Sequence, residues 1–187
     1  MMKLYSNQHS QLGLSMLEVL ISIAILSIGL LGLAGLQSRL QVSEMEAYQR
    51  AQALILLDDM VSRITLNRKN AISYVTGATT PLGVGMTCPT VTASIVNKDE
   101  KEWCESLQGA SETQGSNKVG AFIGGRGCVE DLGSNQYRVT VAWQGLAPVS
   151  APPANVACGI DLYNGGVCTN NLCRRALTAT VGIADLK

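Results

Sequence analysis

The sequence predicts an α+β fold in which a long N-terminal α-helix, transmembrane in its first half, packs on a small antiparallel β-sheet with disulfide-bonded loops. Three observations lead to this prediction: a nearly unbroken apolar run near the N-terminus, an amphipathic helical pattern that continues it, and two alternating segments in the last third of the chain. A chain of 187 residues has room for one globular domain of this kind and one dedicated segment.

The apolar run covers residues 14–38, and residues 19–36 within it carry no formal charge. As a helix this run reaches about 30 Å, which matches the hydrocarbon thickness of a bilayer. A cleaved secretory signal fits less well, because the apolar region of such a signal is about 7 to 15 residues long and ends in a small-residue cleavage site. The run therefore predicts a membrane helix, and Glu18 inside it calls for a function because a carboxylate is costly in lipid.

The helical pattern continues through QSRLQVSEMEAYQRAQALILLDDMVSRITLNRKNA. Apolar or small residues recur there at the three- and four-residue spacing of one buried helix face: Ala47, Ala51, Leu54, Leu57, Val61 and Ile64. We expect a single helix from about Leu14 to Asn67, with its second half packed on a domain.

The following stretch, residues 71–127, is rich in turn residues and predicts loops with one short helix near Lys101–Leu107. The mixed-charge DEKE segment, Asp99–Glu102, is typical of a solvated face.

Three strands are expected after these loops. QYRVTVAWQG alternates in the period of a half-buried strand, and RRALTATVGIADL repeats the pattern. The segment GCVEDL is expected to pair with the first of them across the turn GSNQ, and residues 145–173 are expected to form a long loop. One face of each alternating strand is apolar: Tyr137, Val139, Val141 and Trp143 in the first, and Leu177, Ala179, Val181 and Ile183 in the second.

Six cysteines follow the apolar run: Cys88, Cys104, Cys128, Cys158, Cys168 and Cys173. An even number in a small domain suits disulfides in an oxidising compartment, here the periplasm. A zinc site is a weaker alternative, because the C-x2-C spacing is missing and the single histidine, His9, precedes the apolar run. Sequence alone leaves the pairing open; proximity favours Cys88 with Cys104, Cys128 with Cys158, and Cys168 with Cys173.

The segment GLSMLE, Gly13–Glu18, resembles the processing site of type IV prepilins and pseudopilins, in which a Gly and, five residues later, a Glu head a long apolar helix. In that family a membrane peptidase cuts after the Gly and methylates the new N-terminal amine. The resemblance implies a pilin-like fold, a cleaved leader of residues 1–13, an N-methylated Leu14, a membrane or fibre-core helix over residues 14–38, and a periplasmic pilin domain over residues 39–187.

The resemblance also implies a role for Glu18, whose carboxylate would neutralise the terminal ammonium of a neighbouring subunit. A buried ion without a partner costs several kcal/mol, so this pairing would enforce the register between subunits. Leaders of the family are usually basic, whereas this one offers only Lys3, His9 and the amino terminus. The orientation of the chain therefore rests more on the cysteines than on the positive-inside rule.

Three glycines recur at every third residue of the apolar helix: Gly29, Gly32 and Gly35. Each weakens a helix by about 1 kcal/mol relative to Ala. Close packing against a neighbouring helix explains them, and the resemblance adds a compatible explanation, since pilin helices can lose hydrogen bonds near this depth when the subunit enters a fibre.

Further segments resemble minor pilins, the low-abundance subunits of type IV pili: SMLEVLISIAIL, AYQRAQALILLDDMVSRI, RGCVED, YRVTVAWQG and CRRALTATVGIADL. The resemblance implies a subunit that primes pilus assembly, lies at or near the tip, and supports twitching motility, adhesion or DNA uptake. Its implied partners are the other minor pilins, the major pilin, the prepilin peptidase and N-methyltransferase, and the inner-membrane assembly platform. Neither a cofactor nor a metal nor an enzymatic activity is implied.

Two alternatives remain open. A pseudopilin of a type II secretion system shares the N-terminal signature, and a pilin-like anchor could also carry a domain that binds DNA or a surface. The net charge of zero gives no basic field toward nucleic acid. The basic pairs Arg68-Lys69 and Arg174-Arg175 lack an aromatic stripe beside them, so direct DNA binding is not favoured.

Overall fold

The computed structural model describes residues 14–109, 113–115, 117–118 and 123–184. Helix α1 runs over Leu14–Leu66, which confirms the predicted single helix to within one residue. The chain divides into an N-terminal unit, Met1–Glu44, and a globular unit, Met45–Lys187. Gly13 and the rest of the expected leader lie outside the described residues.

The globular unit holds the remaining helices and all the described strands. After α1 come a 3₁₀ helix, Arg68–Tyr74, and helix α2, Ile95–Leu107. Strands β1, β4, β5 and β6 form an antiparallel sheet in the order β1-β4-β5-β6, and β2 pairs separately with β3. The strands are β1 Leu82–Gly83, β2 Thr113–Gln114, β3 Asn117–Lys118, β4 Arg126–Gly133, β5 Gln136–Gln144 and β6 Arg174–Gly182.

The three long strands confirm the predicted strand segments and the predicted hairpin. Strands β4 and β5 meet at a tight turn, in which Gly133, Ser134 and Asn135 all adopt positive φ. Asp131 supports the turn by accepting a hydrogen bond from the Gly133 amide at 2.8 Å. This conformation favours Gly and Asn, so the sequence GSNQ suits it.

Helix α2 begins earlier than its predicted start at Lys101. Ser94 caps the helix by accepting a hydrogen bond from the Asn97 amide at 3.1 Å. This cap satisfies one of the free amides of the first turn and fixes the beginning of the helix at Ile95.

The main core lies between the sheet, α2 and the second half of α1. Leu57 and Ile64 are buried as predicted, and Val61 is half-buried, but Ala47, Ala51 and Leu54 are exposed. The prediction of that face was wrong because ALILL is apolar around most of the helix, so periodicity alone does not select the packed side. The buried residues of α1 are Gln49, Ala53, Leu57, Met60 and Ile64.

The opposite face of the sheet is covered as well, so the prediction of a half-buried strand at β5 was wrong. Thr140 and Ala142 are fully buried. The loop of residues 145–173 covers this face, where Arg174 donates hydrogen bonds to the carbonyls of Val156 and Cys158 at 2.7 and 3.0 Å. This 29-residue connection thus serves as an outer layer of the domain.

Three disulfides hold the loops, in the pairing that proximity favours. Cys88–Cys104 joins the segment before α2 to that helix, and Cys128–Cys158 joins β4 to the covering loop. Cys168–Cys173 closes the end of the same loop before β6. Together they fix irregular chain that forms few backbone ladders of its own.

Candidate functional site

The first half of α1 is an apolar helix that the N-terminal unit leaves exposed. Residues 15–44 are exposed along their whole length. The helix is long and apolar enough to cross a membrane, with a mean hydropathy of 2.5 in its most apolar window and none of that window buried. An all-round apolar helix needs lipid or other helices around it, so this segment is built to contact something outside its own chain.

Glu18 lies one helical turn after Leu14, the first residue of α1. Its side chain is exposed. The carboxylate is therefore accessible to a cation of a partner.

The hydroxyls of two serines in the apolar helix donate hydrogen bonds to backbone carbonyls of the same helix. Ser22 donates to the Glu18 carbonyl and Ser27 donates to the Ile23 carbonyl, each at 2.7 Å. Back-bonding of this kind lowers the cost of a hydroxyl in an apolar environment. Glu18 is then the one ionisable side chain between residues 14 and 38.

The described residues offer no packing contact that would explain the three glycines Gly29, Gly32 and Gly35. A Cβ added at any of them would meet nothing within 4 Å, apart from the helix's own backbone. Because glycine has no side chain, another helix can approach this part of the helix surface closely. Their role as a packing or flexibility element stays a prediction.

Residues 8–34 match the family model described as the prokaryotic N-terminal methylation motif. The chain thus carries a prepilin-type methylation motif. The match covers the expected cleavage position, Glu18, Gly29 and Gly32, and it supports a protein of the type IV pilin or pseudopilin family. None of the curated proteins and none of the solved structures compared with the chain matches it.

A pilin-type motif has direct consequences for the chain. It implies processing by a prepilin peptidase and assembly with other pilins in a membrane system. Proteins of the pilin family that carry it are structural subunits rather than enzymes.

The pilin-like domain is fixed to α1 by a charged cluster that the sequence did not predict. Arg63 bonds Asp59, Asp99 and Glu102 at 3.0, 2.7 and 2.9 Å. Burial lowers the pKa of Arg63, but the hydrogen bonds to the three carboxylates outweigh it and hold the pKa above the ordinary value. The expectation that DEKE is only a solvated face was therefore wrong for Asp99 and Glu102, because they tie α2 to α1.

Tyr74 of the 3₁₀ helix joins this cluster by donating a hydrogen bond to Asp99 at 2.5 Å. Burial of the ring and this bond raise the pKa of Tyr74 to about 12. The cluster thereby connects three helical elements at the end of α1.

Trp103 anchors α2 between α1 and the sheet. Its indole nitrogen donates to the Leu56 carbonyl at 2.8 Å. On the other side the ring lies on Gly127, where an added Cβ would come within 2.2 Å of it. Gly127 is required by this close approach, a role that sequence spacing could not reveal.

The second basic pair is occupied within the domain. Arg174 is buried, and this burial lowers its pKa. Arg175 contacts Glu46 at 3.4 Å and donates to the Ala147 carbonyl at 2.8 Å. Both guanidiniums are engaged in contacts within the domain, which agrees with the interpretation that this pair does not favour direct DNA binding.

Proposed function

We propose that the protein is a minor pilin subunit that helps prime assembly of a type IV pilus and is incorporated at or near the pilus tip. The observation that carries this proposal is the exposed apolar helix, residues 15–44, with Glu18 near its start inside the methylation motif. The order of the segments AYQRAQALILLDDMVSRI, YRVTVAWQG and CRRALTATVGIADL resembles the minor pilin PilV, the type IV pilus modification protein.

Maturation is part of the proposal. The peptidase cuts between Gly13 and Leu14 and methylates the amine of Leu14, and Glu18 then pairs with the terminal amine of an adjacent subunit. The match of residues 8–34 to the N-terminal methylation motif supports this, because that stretch includes both residues of the proposed cut.

The proposed topology places residues 14–38 in the inner membrane before assembly and the domain of residues 39–187 in the periplasm. Three disulfides among the six cysteines support an oxidising compartment for that domain. After assembly the same helix segment lies in the fibre core, beside the major pilin and other minor pilins.

A deletion strain of the organism that encodes the chain tests this function. We expect few or no surface pili without the protein, and restored piliation when the wild-type chain is supplied in trans. Antibody-gold labelling of pili from the complemented strain should mark fibre ends. Normal piliation combined with a block in secretion of exoproteins would instead assign the chain to a type II secretion pseudopilus.

A further inference from the structure

A cleft of about 610 Å³ opens on the globular unit where three elements meet. The 3₁₀ helix forms one wall, the β4–β5 hairpin forms the other, and residues just after β6 close one side. Ala71 and Tyr137 are buried beneath it. Its volume lies within the roughly 300 to 1,000 Å³ that ligand sites usually occupy.

Two cations on one wall lack a partner. Arg68 and Lys69 are exposed, and neither makes an ion pair or a side-chain hydrogen bond with any residue that the structure describes. The guanidiniums of Arg63 and Arg138 are, by contrast, bonded to carboxylates. The wall formed by the 3₁₀ helix therefore offers two charges that no residue in the described part of the chain compensates.

The opposite wall is polar and carries one carboxylate. Asp131 already accepts the hydrogen bond that supports the hairpin turn. Ser134 and Asn135 present further polar groups beside it. Among the described residues that line the cleft, Asp131 is the one carboxylate and Arg68 and Lys69 are the two cations.

An apolar surface lies beside the cations. Ile72 lines the cleft and is 57% exposed, and Ile183 lines it from the end of β6. The Ile183 amide donates to the Asn135 carbonyl at 2.9 Å, which fixes that side of the cleft to the hairpin. Cations next to exposed aliphatic side chains match a peptide in which acidic and aliphatic residues are neighbours.

We propose that this cleft binds an acidic segment of a partner protein, with carboxylates on Arg68 and Lys69 and an aliphatic side chain against Ile72. An acidic segment is proposed because the two cations attract carboxylates. The apolar surface beside them favours a peptide with an aliphatic side chain over a small anion. Nucleic acid fits less well, because Tyr137, the one aromatic ring among the described lining residues, is buried and offers no surface for base stacking. The proposal is independent of the processing and fibre assembly proposed above.

Binding of a labelled peptide to the full chain in neutral maltoside micelles tests the proposal. The probe is an acetylated, amidated octapeptide that repeats Glu-Glu-Val-Glu twice, followed by fluorescence anisotropy at low salt. Its control carries Gln at each Glu position, and an oligothymidylate of eight nucleotides serves as the nucleic-acid probe. The matched variants each remove two exposed cations: Arg68→Gln with Lys69→Gln in the cleft, and Arg39→Gln with Arg50→Gln on α1.

We expect saturable binding of the Glu peptide that falls at least fivefold in the cleft variant and stays within twofold in the α1 variant. The Ile72→Ser variant should weaken binding at least twofold, and the Gln peptide should not bind. Equal losses in both double variants, or no saturable binding to the wild-type chain, would overturn the proposal. Tighter binding of oligothymidylate than of the Glu peptide, lost in the cleft variant, would overturn it in favour of nucleic acid.

Discussion

The Arg63 guanidinium lies 2.7 Å from the Asp99 carboxylate, and this ion pair joins α1 to α2 across 36 residues of sequence. Both side chains are largely shielded from solvent, with 22% and 14% of their surfaces exposed. Charge pairs of this kind are costly to break, because removal of one partner leaves the other without compensation. The C-terminal end of α1 is thus held to α2 by electrostatics as well as by apolar packing.

Replacement of Arg63 by Met should lower the free energy of unfolding by about 2 kcal/mol, since Asp99 and Glu102 then face each other without a cation. Urea unfolding of the full chain in micelles, followed by the fluorescence of the two buried tryptophans, measures the loss. Arg50→Met is the matched control, because Arg50 is exposed on the same helix, and it should change stability by less than about 0.5 kcal/mol. Equal effects would show that the cluster does not stabilise the domain.

The raised pKa of Tyr74 predicts that the folded domain loses stability at alkaline pH. Its pKa is about 12 in the folded chain, above the value of about 10 expected when unfolded. Stability from the protonated phenol is therefore fully present below pH of about 10 and is lost as pH rises through 12. The difference in unfolding free energy between wild type and Tyr74→Phe should shrink over that window; a constant difference would contradict the bond to Asp99.

Gly127→Ala should destabilise the domain by about 3 kcal/mol, because the new methyl group would lie 2.2 Å from the Trp103 ring. Gly182→Ala serves as the control, since a Cβ there meets nothing within 4 Å in the extended end of β6. The midpoints of urea unfolding compare the two variants. A Gly127→Ala chain as stable as the control would show that Trp103 does not pack on this strand.

The two disulfides of the covering loop should differ in their contributions to stability. Cys128 and Cys158 are 30 residues apart, and Cys168 and Cys173 are 5 apart. Loop-closure entropy predicts a loss of about 4 kcal/mol when the first pair is replaced by Ala and about 2 kcal/mol for the second. Thermal unfolding of the paired variants checks this order, and the reverse order would mean that the long loop covers the sheet without needing its bond to β4.

Glu18→Ala should leave processing intact and reduce incorporation into fibres several-fold, because the partner of the terminal amine is then missing. Quantitative immunoblots of sheared pili against total membranes provide the measurement. Glu44→Ala removes an exposed carboxylate farther along the same helix and is the control. Wild-type incorporation of the Glu18→Ala chain would show that the charge pair is dispensable.

Local signals in the sequence were enough to predict α1, the three long strands and the β4–β5 turn. The spacing of apolar residues and the residue types that favour turns are both visible within a few positions of the sequence. The buried face of α1 was predicted only in part. Leu54 was expected to be buried, but Ala53 is buried instead. Both residues are apolar or small, so only packing against the rest of the domain selects between them. Long-range contacts such as that of Trp103 with Gly127 leave no local pattern. Within the candidate site, the Gly13–Glu18 segment was readable from sequence, whereas the cleft at Arg68 depends on elements that are far apart in the chain.

The central claim is maturation by the prepilin pathway, and intact mass spectrometry of the protein from its native membrane, with and without reduction and alkylation, tests it most directly. We predict a chain that begins at N-methylated Leu14 and has no thiol reactive before reduction and six after it. Gly13→Ala should retain the leader of residues 1–13 in the same assay. A wild-type chain that retains Met1 to Gly13, or that carries free thiols in the membrane, would contradict the account.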